Sequence, residues 1–151
     1  MPDQHFVRDF MSSPVTTVPH DARLLDAALT LRRTGYRHLV IADGERLVGI
    51  ITDRDVYRFA PSILSRITPE EYNAIFENTP IERVMTRKPQ TVTPATPVRE
   101  AIKLMYNHKL GCLPVVEGDK LVGIVTTTDM LNLLHQLISG GQSAKVEEPQ
   151  Q

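Results

Sequence analysis

The stretch Leu47-Val48-Gly49-Ile50-Ile51-Thr52-Asp53-Arg54-Asp55 returns 74 positions later as Leu121-Val122-Gly123-Ile124-Val125-Thr126-Thr127-Thr128-Asp129. The same offset pairs Met11 with Met85, Ala27 with Ala101 and Gly44 with Gly118. Only the prolines slip, Pro14 and Pro19 lying one step out of phase with Pro89 and Pro94. Recurrence at a fixed period marks repeated structural units. The chain therefore holds two copies of one unit, over residues 7–59 and 81–134.

Outward from the quoted stretch, both copies read alike. A short apolar run precedes it, His38 to Ala42 or Leu113 to Val116. The joints Asp43-Gly44-Glu45-Arg46 and Glu117-Gly118-Asp119-Lys120 contain glycine, which predicts a β-hairpin in each copy. A helix is expected to begin near Asp55 or Asp129, carrying Val56 and Phe59 or Met130, Leu131 and Leu134. Before the hairpin lies an amphipathic helix. In the first copy Asp21 suits its N-cap, Leu24, Ala27, Ala28 and Leu31 its apolar face, and Gly35 its stop. In the second copy Thr96 caps, Pro97 takes the first helical position, and Val98, Ala101, Ile102 and Met105 form the face. A helical turn (Val7 to Met11, Ile81 to Met85) and a Thr/Val/Pro strand lead in. The order is β-α-β-β-α twice, an α+β chain.

Between the copies, Thr68-Pro69-Glu70-Glu71 has the cap, proline and glutamate of a capping box, opening a helix through about Phe76. Thr79-Pro80-Ile81-Glu82 repeats that signature. The expected divisions are a first repeat over 1–62, a helical linker over 63–79, a second repeat over 80–138 and a Gly/Ser/Gln/Glu-rich flexible tail over 139–151.

The order of elements, with Gly-Ile-Ile-Thr-x-x-Asp at Gly49–Asp55 and Gly-Ile-Val-Thr-x-x-Asp at Gly123–Asp129, closely resembles CBS domains. These occur as tandem pairs called Bateman modules, and the inserted helix is similar to that of the acetoin-utilisation-type members. The resemblance implies two repeats packed with pseudo-twofold symmetry and two clefts between them that bind an adenine nucleotide (AMP, ADP or ATP). Carried onto these residues, it joins Thr126 and Asp129 to Thr17, Tyr36 and Arg37 in one cleft. The other joins Thr52 and Asp55 to Thr91, Leu110 and Gly111. A carboxylate accepts hydrogen bonds from ribose hydroxyls, and a threonine hydroxyl donates to a phosphate oxygen. Arg37, His38 and Arg54 are candidates to neutralise phosphate, and Thr128 stands where the first copy has Arg54. Thr-x-x-Asp is also a good helix cap in its own right.

The two copies are chemically unequal, since Arg37-His38 becomes Gly111-Cys112. Arg32 and Arg33 suit the negative end of the helix that precedes them. No Ser-His-Asp, Cys-His or paired-carboxylate arrangement supports catalysis, so a regulatory module and not an enzyme is expected, with no catalytic cofactor. His5, His20, His108 and His135 lack metal-ligand spacing, and Cys112 is the only cysteine. A net charge of -1 gives no field for nucleic acid. No apolar run reaches membrane-span length, and Met1 to His5 lacks the basic and apolar regions of a signal peptide. A cytoplasmic protein is expected. The resemblance implies a homodimer through apolar helix faces such as Val56/Phe59 and Met130/Leu131/Leu134, acting on a partner enzyme or transporter. S-adenosylmethionine or NAD as ligand, and an interaction scaffold with degenerate sites, are the alternatives.

Overall fold

A computed structural model describes residues 4–62 and 64–140. The chain divides into two compact units. One is Thr16–Pro89; the other combines the residues up to Val15 with those from Gln90 onward. They are called here the first and second units, after the repeat whose hairpin each contains.

In the first unit, strand β1 (Thr17–Pro19) runs parallel to β2 (His38–Asp43). β2 pairs antiparallel with β3 (Arg46–Thr52) through the turn at Gly44, whose positive φ suits the residue without a Cβ. Helix α1 (Leu24–Thr34) buries Leu24, Ala27 and Leu31 against Leu39, Ile41 and Ile51 of the hairpin. Alternation along β2 places Leu39 and Ile41 on the helix-covered face and His38 and Val40 on the other. α2 (Asp53–Phe59) and α3 (Pro69–Asn78) follow, and Phe76 of α3 joins the same cluster. β4 (Thr86–Arg87) closes the sheet beside β3.

The second unit repeats this plan. α4 (Val98–His108), β5 (Cys112–Glu117), β6 (Lys120–Thr126) and α5 (Thr127–Ile138) correspond to α1, β2, β3 and α2. A single parallel bridge from Val92 to Val115 stands where the first unit has β1, and a Ser12–Ile124 bridge stands where it has β4. Val7, Val92, Ala101, Met105, Leu113, Val115 and Val125 form its core.

The lead-in segments are exchanged between repeats. The segment ahead of the first repeat belongs to the second unit, where Ser12 N–H donates to the Ile124 carbonyl at 2.8 Å. The segment ahead of the second repeat belongs to the first unit, where Ile81 N–H donates to Ala22 O at 3.0 Å. This crossing explains the glycine of each Gly-Ile-Ile/Val-Thr run. A Cβ at Gly49 would lie 2.7 Å from Thr86 O and 2.8 Å from Met85 Sδ. At Gly123 it would meet Met11 Sδ at 2.7 Å and Ser12 O at 3.1 Å.

Several helix boundaries differ from the sequence expectation. α1 starts at Leu24 because Arg23 N–H donates to Asp26 Oδ2 at 2.8 Å, so the cap is supplied from N3 and not by Asp21. Thr96 does not cap α4. Its Oγ1 accepts from Thr93 N–H at 3.0 Å, and Pro97 takes the N-cap position. Ile102 is 42% exposed and leaves the buried face of α4 to Val98, Ala101 and Met105. The Thr68/Glu71 capping box is present with both reciprocal bonds, at 3.0 and 3.1 Å. Thr79 instead terminates α3, its hydroxyl donating to Ile75 O at 2.5 Å.

Candidate functional site

In the first unit Thr52 ends β3 and N-caps α2. Asp55 N–H donates to its Oγ1 at 3.2 Å, and Thr52 N–H donates to Asp55 Oδ2 at 2.8 Å. The motif is thus a capping box that also fixes the carboxylate. Among the described residues, no acceptor is found for the Thr52 hydroxyl proton. The segment before β2 lies alongside, since Asp53 N–H donates to Arg37 O at 2.9 Å and His38 faces Thr52 across the strands. Tyr36 packs on the core cluster, and Thr17 enters β1 opposite Val40.

Arg37 and Arg54 are exposed and, among the described residues, have no ion-pair partner. The carboxylates nearby are turned to backbone donors instead. Asp53 Oδ1 accepts from Arg54 N–H at 2.8 Å, and Asp55 is held as above. Two guanidinium groups therefore remain for an anion.

His38 is only 8% exposed, and its Nε2 is buried without a hydrogen-bond partner among the described residues. Leaving such a group unpaired costs about 1–3 kcal/mol. Burial pushes its pKa below the ordinary histidine range; Asp53 opposes this and Arg37 adds to it. Near neutral pH the ring is neutral and acts as a hydrogen-bonding group, not a standing cation.

In the second unit Thr126 is buried and N-caps α5. Its N–H and its hydroxyl both donate to Asp129 Oδ2, at 2.7 and 3.0 Å, and Asp129 N–H returns to Thr126 Oγ1 at 3.3 Å. Thr127 N–H donates to Gly111 O at 3.0 Å, and Cys112 faces Thr126 as His38 faces Thr52. Burial pushes the Cys112 thiol up to about 12. Leu110 packs on the core, whereas Thr91, Gly111 and Thr128 are exposed.

Within each unit, then, the fold gathers the pre-strand segment and the Thr-x-x-Asp of the same repeat at one end of the hairpin. Asp53, which accepts from the Arg54 backbone N–H and whose charge acts on His38, was not singled out from the sequence; its place inside the motif was the available signal. Val56 and Phe59 are half-buried against the first core and Met130 against the second. The exposed apolar residues of α5 are Leu131, Leu134, Leu137 and Ile138. Among the described residues no group of three or more His, Cys, Asp or Glu could hold a metal ion, and no helix is long and apolar enough to cross a membrane.

Duplicate α+β units with matched Thr-x-x-Asp helix starts define a tandem-repeat module. The CBS domain family profile matches residues 7–62 and 81–136, and the chain belongs to that family as a tandem pair. A CBS domain-containing protein of Dictyostelium discoideum is 34% identical over 137 residues, covering 87% of this chain and 92% of its own. The structure is similar to that of an acetoin utilization protein (AcuB) from Vibrio cholerae. Here the TM-score is 0.74 at 30% identity, with 90% and 94% of the two chains covered.

Two further solved structures contain ligands. The CBS domain pair of protein MJ0100, in complex with 5'-methylthioadenosine and S-adenosyl-L-methionine, has TM-score 0.73 at 28% identity, covering 89% of this chain and 99% of that one. CBSX2 in complex with AMP has TM-score 0.73 at 25% identity, covering 89% and 98%. Some curated relatives are far longer. The chain spans 13% of an A-adding tRNA nucleotidyltransferase of Geobacter sulfurreducens, at 29% identity.

Proposed function

We propose that the chain is a regulatory module that senses an adenine nucleotide, AMP, ADP or ATP, and carries no catalysis of its own. The observation that carries this reading concerns Arg37 and Arg54, both exposed and without an ion pair among the described residues. They stand in the two segments of the first unit that meet at the Asp53 N–H to Arg37 O bond, Arg54 in the same motif as the fixed Asp55 carboxylate. Thr17, Tyr36, Arg37, His38, Thr52, Arg54 and Asp55 are assigned to ligand contacts there. This grouping by repeat replaces the one the resemblance implied, which joined Thr17, Tyr36 and Arg37 to Thr126 and Asp129, and it rests on the Asp53 N–H to Arg37 O bond. Arginine gives bidentate contact to phosphate, and a carboxylate accepts from ribose hydroxyls. The AMP complex of CBSX2 supports this choice of ligand.

The second unit favours a different adenosyl compound. Thr91, Leu110, Gly111, Thr126, Thr128 and Asp129 are its assigned contacts, and none is a cation. A ribose-bearing ligand without phosphate, such as S-adenosylmethionine, fits that set, in keeping with the MJ0100 complex. The output passes through a homodimer, with the exposed leucines of α5 as its face, to a partner enzyme or transporter in the cytoplasm, where the nucleotides reside. Light scattering at micromolar concentration is expected to give a dimer.

A thermal-shift screen of the full chain against AMP, ADP, ATP, S-adenosylmethionine and NAD tests the reading. A ligand bound only by the folded state raises apparent stability. An upward shift with an adenine nucleotide is expected. No shift with any of them favours a scaffold with degenerate sites.

A further inference from the structure

Among the described residues, His38 Nε2 is the one buried side-chain nitrogen or oxygen without a hydrogen-bond partner. His38 opens β2, opposite Thr52 of the Thr-x-x-Asp motif, on the sheet face away from the apolar cluster. The side chain is more than nine-tenths buried, and Nε2 has no partner among the described residues. The large majority of buried polar side-chain atoms in native proteins are paired, and an orphan calls for an explanation. The matched position in the second unit is Cys112, a buried thiol that makes no comparable demand. Arg37, whose charge acts on the ring, and Arg54 of the facing motif have no ion pair among the described residues, while Asp53 and Asp55 accept from backbone donors. With both carboxylates so engaged, Arg37 and Arg54 are the groups left to draw an anion to this end of the hairpin.

We propose that His38 makes ligand binding in the first unit proton-linked: its imidazole donates to a phosphoryl oxygen of the bound nucleotide and takes up a proton from solvent as the nucleotide binds. This rests on the nucleotide reading above and adds a regulatory input to it. The charged groups acting on the ring are Asp53 at the start of α2 and Arg37 ahead of β2. Asp53 favours the imidazolium; Arg37 and burial disfavour it. A phosphate brought against the ring adds negative charge where burial had kept the ring neutral, and so tips the balance to the cation. Linkage is reciprocal, so the nucleotide binds more tightly as pH falls towards and through the histidine range. A nucleotide sensor of this kind also reads acidification.

The test is calorimetry of AMP binding to the full chain, wild type and His38→Gln, in two buffers of different ionisation enthalpy between about pH 6 and pH 8. Glutamine keeps a hydrogen-bonding amide but does not titrate, and the titration of AMP itself is common to both proteins. Wild type is expected to take up more protons per AMP than His38→Gln. Its affinity advantage should grow on acidification, by at most on the order of tenfold per pH unit. Equal proton uptake, with both proteins binding AMP, overturns the proton link and leaves the nucleotide reading standing. Failure of wild type to bind any adenine nucleotide overturns both. If His38→Gln does not fold, the ring ¹⁵N shifts of His38 in wild type carry the test. Movement towards imidazolium on adding AMP is expected, and an unchanged ring overturns the proposal.

Discussion

His38 and Cys112 hold the same place in their repeats, each the first residue of a strand and each opposite the threonine of a Thr-x-x-Asp motif. Their backbones agree closely. Asp53 N–H meets Arg37 O at 2.9 Å, and Thr127 N–H meets Gly111 O at 3.0 Å. Their chemistry does not agree. One end of a hairpin carries two arginines and an imidazole short of a hydrogen-bond partner; the other carries glycine, threonine and a thiol that stays protonated. Backbone hydrogen bonds and core packing keep the duplicated scaffold, while the side chains at one edge are left to diverge. On the proposed reading, duplication with such divergence gives two unlike sites from one fold.

The comparison is broken most directly at the arginines. Arg37→Ala combined with Arg54→Ala should weaken AMP binding by about a hundredfold or more, because hydrogen bonds to charged groups contribute roughly 1.5–3 kcal/mol each. Binding of S-adenosylmethionine should be unchanged in the same calorimeter. Equal losses for both ligands would mean that the units do not divide the ligands as argued.

Next come the glycines. Gly49→Ala should destabilise the protein by about 1–3 kcal/mol in urea unfolding, as overpacking does, because the new Cβ meets a backbone carbonyl at 2.7 Å. Gly123→Ala should cost less. Its closest neighbour is the end of the flexible Met11 side chain, and the backbone carbonyl lies at 3.1 Å.

A smaller difference lies in the response to pH. His38 has a folded pKa below its unfolded value, so the unfolded chain binds the extra proton first. Stability from this residue is complete above about pH 6.5 and is lost as pH falls through the depressed folded value. His38→Leu should flatten that part of the profile in ligand-free protein, whereas Cys112→Ala should leave it unchanged. Thermal unfolding between about pH 7 and pH 5 reads the contrast.

The smallest effect is at the helix ends. Gly35 closes α1 in the left-handed region (φ 71°), and Lys109 closes α4 there with φ 54°. Lys109→Gly should stabilise by about 0.5–1 kcal/mol, since only glycine adopts that conformation without strain. The same urea experiment measures it.

Much of this was legible in the sequence. The offset between Gly49 and Gly123, the glycine turns and the Thr68 capping box reflect local chemistry, and the structure has them where they were read. The exchange of lead-in segments was not legible. Met11 over Gly123 and Met85 over Gly49 are long-range contacts, and no periodicity within either segment reports them. Ile102 and Asp21 misled for a related reason, because helical spacing does not say where the neighbouring sheet ends or which acidic residue caps. His38 read as a cation from its neighbours Arg37 and Arg54. Strand alternation buries it, and burial makes it neutral.

The most direct test of two unlike sites is AMP calorimetry on Asp55→Ala and Asp129→Ala, with circular dichroism to confirm folding. Asp55→Ala is expected to lose AMP binding, and Asp129→Ala to keep it while losing S-adenosylmethionine. If both variants bind AMP as wild type does, the assignment of these carboxylates to the ligand is wrong.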